Sequence, residues 1–532
     1  MNKTIRIVQG GFAAIFGLTI ISVIIRGIKE NIPIWAEILL IFVSLVSIGG
    51  LVILYQKLKA KKLTEKQSDR IFFIIAGLML IIQIIFAVIL CYKPWSDLGF
   101  VDKAARDFCL TWDKKDLYTH LPERHENYFV RYTNNQAILI ILSVIYSVCN
   151  TVLGKMPYLV PVMINTFGLN ISVILMYFTA KKIFRNPTTA LFTGILASIF
   201  SVFYTYTPFY YTDSLSMPFV MSSVLLFLRG IDSKRKLYSA IQLIMSGFLV
   251  FIGYKIKGSV IILIPAFLIY FIVFTKKFNI LKHICQFSLF LAGCVIMSVL
   301  SGIVIGSFNI AEKEELEEIQ FPPTHWIMMG LHGRGNYNSD DFWFTVNSGN
   351  YEQKKKANIE EIKKRVSDYG LYGNIEHLAV KLSWTWWDGT YMIGYYIKKG
   401  SDSMLRNFIC HSKTFKIYCT VFHVSLLFSI IYSFIRGAFK TNQQRNIAEN
   451  YFLRNLFFPC DMGITFEIFS EFYSVFPNDL CRYYTRYFKF LFRPFFKKPI
   501  CENKKVKLNE LQYKNNPSLL KSEGLYILIF YY

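Results

Sequence analysis

Six stretches of this sequence carry residues whose types and spacing suit chemistry. In PWSDLGFVDKAARDF (94–108), Asp97 stands just beyond a long apolar run, beside Trp95. A carboxylate there is either a helix N-cap or a functional acid. Asp102 and Asp107 follow at helical spacing and read as a solvated face. In HENYFVRYTNNQ (125–136), Arg131 is flanked by Tyr128 and Tyr132 and followed by Asn134 and Asn135. Arginine among aromatics is an interfacial anchor or a phosphate clamp, because its planar fork matches two phosphate oxygens.

TPFYYTDSLSMPF (207–219) sets Asp213 at the end of another apolar run, as a cap or as a boundary acid with a function. In GYKIKGS (253–259), Lys255 and Lys257 either snorkel or hold an anionic headgroup or pyrophosphate. THWIMMGLHGRGNYNSDDFWF (324–344) gathers His325, His332, Asn336, Asp340 and Asp341 among three glycines. It matches no Walker or dinucleotide loop and reads first as turns. KLSWTWWDGTY (381–391) is dense in tryptophan, Trp387 included. Such residues line a membrane interface, or stack on the apolar C–H faces of sugar rings.

These segments hang on apolar elements. Hydrophobic residues make up 53% of the 532 residues, with 49 Phe and 33 Tyr, and mean hydropathy is +0.36. Charged residues are 18%, against roughly 25% in soluble domains. This predicts an all-α, polytopic membrane helix bundle and excludes a disordered chain, a coiled coil and a disulfide-rich scaffold. The net charge of +24 lies mostly in short stretches between apolar runs, which is the membrane-orientation pattern. No nucleic-acid-binding signature occurs, so no nucleic-acid partner is expected. The ten cysteines show no metal spacing and mostly sit in apolar runs.

Apolar runs at 5–25, 33–55, 71–91, 136–153, 157–180, 187–206, 214–230, 237–253, 259–275, 283–305 and 414–436 give about eleven expected spans. The basic segment KLKAKKLTEKQSDR (57–70) belongs on the cytoplasmic side, as do IDSKRK (231–236) and Lys276/Lys277. Two regions, 92–134 and 306–413, then lie outside. The chain divides into an N-terminal pair with its basic loop (1–70), a membrane core (71–305), a large external loop (306–413), a further span (414–436) and a tail (437–532). Within the loop, 352–366 reads as a charged helix with Ile359, Ile362 and Val366 on one face. One conflict remains: counting spans places KKIFR (181–185) outside, while its charge wants it inside. Either 136–153 or 157–180 must therefore be short, re-entrant or surface-lying.

Taken in order, PWSDLGFVDKAA, YFVRYTNN, PFYYTDSLSM, YKIKGSVIILIPA, HWIMMGLHGRGNYNSDD and KLSWTWWDGTY resemble the C-type glycosyltransferase superfamily. They are most similar to family 39, the protein-mannosyltransferase-like integral membrane proteins of Gram-positive bacteria, over residues 70–436. The resemblance implies transfer from a polyprenyl-phosphate sugar to an unidentified acceptor at the external face of the cell membrane. It implies Asp97 as the catalytic residue. The family often has a second acid beside it; here Leu98 stands there, which leaves a divalent metal open and no cofactor assigned. A lipid phosphate leaves readily, so one base for the acceptor hydroxyl and cations for the growing phosphate charge suffice. Arg131, Lys255 and Lys257 are the expected phosphate ligands. Asp213, Tyr132, Asn134, His325, Asn336, Asp340 and Trp387 are the expected sugar or acceptor contacts. A lipid-linked-sugar transporter or flippase, or a non-catalytic assembly protein, are the alternatives.

After about residue 440 the pattern breaks. The family expects further apolar helices with a Trp-Glu pair, whereas this tail is basic and aromatic. Met462–Gly463 must be encoded ATG GGN, so a reading one nucleotide later contains TGG, a tryptophan codon. Permitted codons over 457–485 then give an apolar stretch bearing Trp-Glu, which predicts a frameshift between about 437 and 456. The competing reading is an amphipathic tail on anionic lipid.

Overall fold

The computed structural model describes residues 34–118, 126–274 and 280–439, with scattered positions between 11 and 25. The run at 5–25 therefore lies partly outside the described residues, as do Lys276/Lys277 and the tail beyond 439. Among the described residues the protein is helical throughout, without strands. Helices of seven or more residues are numbered here. They are α1 (Ile34–Ala60), α2 (Glu65–Leu90), α3 (Ser96–Thr111), α4 (Gln136–Leu153), α5 (Leu159–Phe184), α6 (Pro187–Ser198), α7 (Thr212–Asp232) and α8 (Lys236–Ile256). Then follow α9 (Leu263–Phe274), α10 (Ile280–Ser307), α11 (Lys313–Ile319), α12 (Thr324–Gly330), α13 (Ser339–Val346), α14 (Tyr351–Trp386), α15 (Met404–His411) and α16 (Lys413–Phe439).

Seven helices among the described residues are long and apolar enough to cross a membrane, against the eleven runs expected. The run at 187–206 breaks into α6 and a short turn of helix at Val202–Thr205. The carbonyls freed there are used: Asn165 Nδ2 donates to Tyr206 O at 2.9 Å and to Thr207 O at 3.0 Å. A broken helix at membrane depth requires such partners. The run at 259–275 is likewise a 3-10 turn followed by the twelve-residue α9.

The sidedness conflict resolves at α4. Lys181, at the end of α5, pairs with Glu65 at 2.7 Å and Asp69 at 2.8 Å, and Lys182 pairs with Asp232 at 3.0 Å. The start of α2 and the ends of α5 and α7 therefore share one side, which the basic loops mark as cytoplasmic. Both ends of α4 lie opposite. Asn135, at its start, donates to Tyr128 at 2.8 Å, and Met156, just past its end, accepts from Arg106 of α3 at 2.5 Å. Val144, Val148 and Val152 form an exposed apolar stripe along it. Length and composition suit a span, but the contacts make α4 a surface helix packed on α3.

Between residues 306 and 413, α14 contains the expected charged stretch. Its buried face reads Lys354, Asn358, Ile362 and Val366 at four-residue intervals, with Ile359 at the margin. Trp386 and Trp387 close the helix against Val424 and Leu427 of α16.

Candidate functional site

The start of α3, the middle of α5, the broken segment after α6, the start of α7 and the stretch from the end of α14 onward converge on a cavity of about 440 Å³. Of the residues expected to act, Asp97, Asp213, Lys257 and Asn336 line it. Its walls are otherwise rich in rings, among them Trp95, Tyr206, Tyr211, Trp384 and Tyr391.

Asp97 does not cap α3. Trp95 is the N-cap residue and Asp97 sits in the first turn, where the helix dipole favours a negative charge. Its carboxylate is open to the cavity. Enclosure by the walls raises its pKa above the ordinary carboxylate value, while a hydrogen bond from Tyr128 works the other way. Tyr128 is itself buried and accepts from Asn135. The result is an accessible carboxylate, fixed from behind and held at raised basicity.

Asp213 does not cap α7 either; it accepts from Lys257 Nζ at 2.9 Å. Asp388 is spent on the turn that follows it. One carboxylate oxygen accepts from Thr390 N at 2.9 Å and Thr390 Oγ1 at 2.7 Å, the other from Met392 N at 2.9 Å. These bonds hold Tyr391 and Met392 at φ of 52° and 58°, and Ser96 across the cavity has φ of 61°. Left-handed backbone at three non-glycine wall residues is strain of the kind that gathers at functional sites. Gly389 is required beside them, because a Cβ there would stand 2.4 Å from the Cys419 carbonyl oxygen. Of the three wall aspartates, Asp97 alone combines an open carboxylate with neither an ion pair nor a clamped turn.

The expected phosphate trio is not brought together. Lys257 reaches the cavity but is paired with Asp213, and Lys255 lies over the Phe251 ring, 5.6 Å from its centroid. Arg131 is half-buried between Phe342 and Phe321, 5.2 and 5.8 Å from their centroids. Several expected substrate contacts also fall elsewhere. Tyr132 stacks on Trp326 with ring centroids 5.5 Å apart, and Asn134 turns to Asn135. His325 is fully buried against Thr345 at 2.8 Å, and burial lowers its pKa to about 4. Asp340 is exposed in the first turn of α13, and Trp387 is packed in the core. Asp102 is not a solvated residue: it is 3% exposed, paired with Arg106 at 2.8 Å and bonded by Tyr146 and Tyr210. Among the described residues no group of three or more His, Cys, Asp or Glu stands where it could hold a metal ion.

Sequence reasoning passed over Asp388 and the wall tyrosines. The signal for Asp388 was present, since it adjoins the tryptophan run and precedes a glycine.

The helices and their apolar outer faces define a multi-pass integral membrane protein. The chain belongs to the conserved hypothetical integral membrane protein family, whose model matches residues 4–444. No curated protein and no solved structure matches the chain.

Proposed function

We propose that the protein is a membrane glycosyltransferase that moves a sugar from a polyprenyl phosphate to an acceptor hydroxyl at the external face. The observation that carries the reading is the open Asp97 carboxylate, backed by Tyr128, in a cavity walled by aromatic rings. Rings and carboxylates suit a carbohydrate: rings take the C–H faces, and carboxylates accept from hydroxyls. Asp97 takes the acceptor proton as its oxygen attacks the anomeric carbon. The bond from that carbon to the phosphate oxygen breaks, and the phosphate keeps the electron pair. Direct attack inverts the anomeric centre. Asp213, held by Lys257, and Asn336 orient the sugar, and Asp388 keeps the wall in shape.

Incubation of membranes holding the protein with a radiolabelled polyprenyl-phosphate sugar tests this. Label appearing in an acceptor, and absent without the protein, is the expected result. Label crossing the bilayer on its original lipid would make the protein a carrier, and no change in the label would remove both activities.

A further inference from the structure

The helix that carries Asp97 is also clamped from within. Asp97 and Asp102 stand five residues apart on α3, so their side chains leave the helix axis about 140° apart. Asp97 lines the cavity, while Asp102 is 3% exposed and paired with Arg106. Every guanidinium nitrogen of Arg106 is used. Nε donates to Asp102 at 2.8 Å, Nη1 to Met156 O at 2.5 Å and Nη2 to the Tyr146 hydroxyl at 2.8 Å. The group also lies over the Tyr146 and Tyr158 rings, 4.1 and 3.9 Å from their centroids. The second Asp102 oxygen accepts from Tyr146 and, at 2.6 Å, from Tyr210.

Tyr210 ties this pair to the cavity wall. It is fully buried, and its neighbours Phe209 and Tyr211 both line the cavity. The Tyr211 hydroxyl donates to Asn135 Oδ1 at 3.5 Å, and Asn135 Nδ2 donates to Tyr128 at 2.8 Å. Tyr128 in turn bonds Asp97. The contacts therefore leave α3 at Asp102 and return to it at Asp97. A buried ion pair is a poor source of stability, because apolar side chains of similar volume serve as well or better. What it does supply is a single geometry. Apolar groups would fill the same space at several rotations of α3, whereas this carboxylate and guanidinium meet all their partners at one.

We propose that Asp102 and Arg106 are positioning residues for Asp97: they fix the rotation of α3 and, through Tyr210, hold the wall residues Phe209 and Tyr211 in register with it. That Asp97 acts as a base rests on the transferase reading; that the buried pair sets its place does not. The two aspartates of α3 then divide the work. Asp102 is saturated and sets the geometry, and Asp97 is left open at the position that geometry defines.

The test uses the full chain in phosphatidylcholine nanodiscs and two readouts. One is sugar transfer from the polyprenyl-phosphate donor. The other is the pH titration of the Asp97 carboxyl stretch in the infrared, isolated by subtracting the spectrum of the Asp97→Asn protein. Tyr210→Phe is the first variant, because it cuts the pair from the wall while Asp102 keeps Arg106 and Tyr146. Asp102→Asn is the second. Tyr210→Phe is expected to lower kcat about tenfold with KM little changed, and Asp102→Asn about 10²-fold, the cost of misplacing a reacting group by about 1 Å. Both are expected to shift the Asp97 titration. An unmoved titration in folded Tyr210→Phe protein, whatever its kcat, would overturn the positioning role and leave a structural ion pair. No transfer by the wild type, with a titration that still shifts in the variant, would sink the transferase reading and leave the positioning role standing.

Discussion

The cavity and the segment over α12–α14 gather the same kinds of side chain and use them differently. In the α12–α14 segment, Asp341 is 2% exposed and accepts from Arg365 at 2.6 and 3.0 Å and from His332 at 3.1 Å. Arg365 also reaches Glu361 at 2.9 Å and Met328 O at 2.8 Å. Burial would raise the Asp341 pKa, but Arg365 outweighs it and holds the carboxyl below its ordinary value. In the cavity, Asp97 shifts the other way and stays accessible. Saturated charge sets a fold, whereas a carboxylate left open at raised basicity is available for chemistry.

Substitutions should separate the two regions. Asp97→Asn is expected to lower transfer by about 10²–10⁴-fold, the usual range for a general base, at unchanged protein level; wild-type transfer would remove Asp97 from the mechanism. Asp341→Asn should instead cost about 1–3 kcal/mol of stability, because the Arg365 guanidinium loses one of its two carboxylate partners. Denaturant titration in detergent checks this, and an unchanged midpoint would break the contrast. The signs of the pH dependence differ too. The depressed pKa of Asp341 supplies stability that is present above the unfolded carboxylate value and lost as pH falls through the folded one. The raised pKa of Asp97 means that transfer should fall on acidification at a pH above the ordinary carboxylate value. Tyr128→Phe removes the bond that favours the charged form, so that limb should move to still higher pH. A pH–rate profile unmoved by this change would disconnect Tyr128 from the base.

Much of the fold was legible in the sequence. Runs of apolar residues mark most membrane helices, and Lys181 was rightly pulled toward the basic side by its charge. What composition could not show is where a helix ends in space. Arg106 and Tyr128 pin both ends of α4 to one face, and the bond from Arg106 to Met156 joins residues 50 positions apart. Among the residues that line the cavity, Asp97 and Asp213 were singled out by boundary position, Lys257 by its charge and Asn336 by its place in a turn-rich loop. Arg131 and His325 were misplaced because aromatic neighbours mark packed cores as readily as binding faces. The tail is a separate matter. The family match stops at 444, within the window of 437–456 where the pattern breaks. The nucleotide sequence across codons 430–460 is expected to show a one-base slip; a single intact frame to residue 532 would contradict it.

The central claim is that the Asp97 carboxylate takes the acceptor proton inside this cavity. Its most direct test is rescue: Asp97→Ala, assayed for sugar transfer with increasing formate. Little transfer without formate and a rate rising with its concentration are predicted, since a small carboxylate can enter the vacated space. Full transfer by Asp97→Ala with no formate present would contradict the claim.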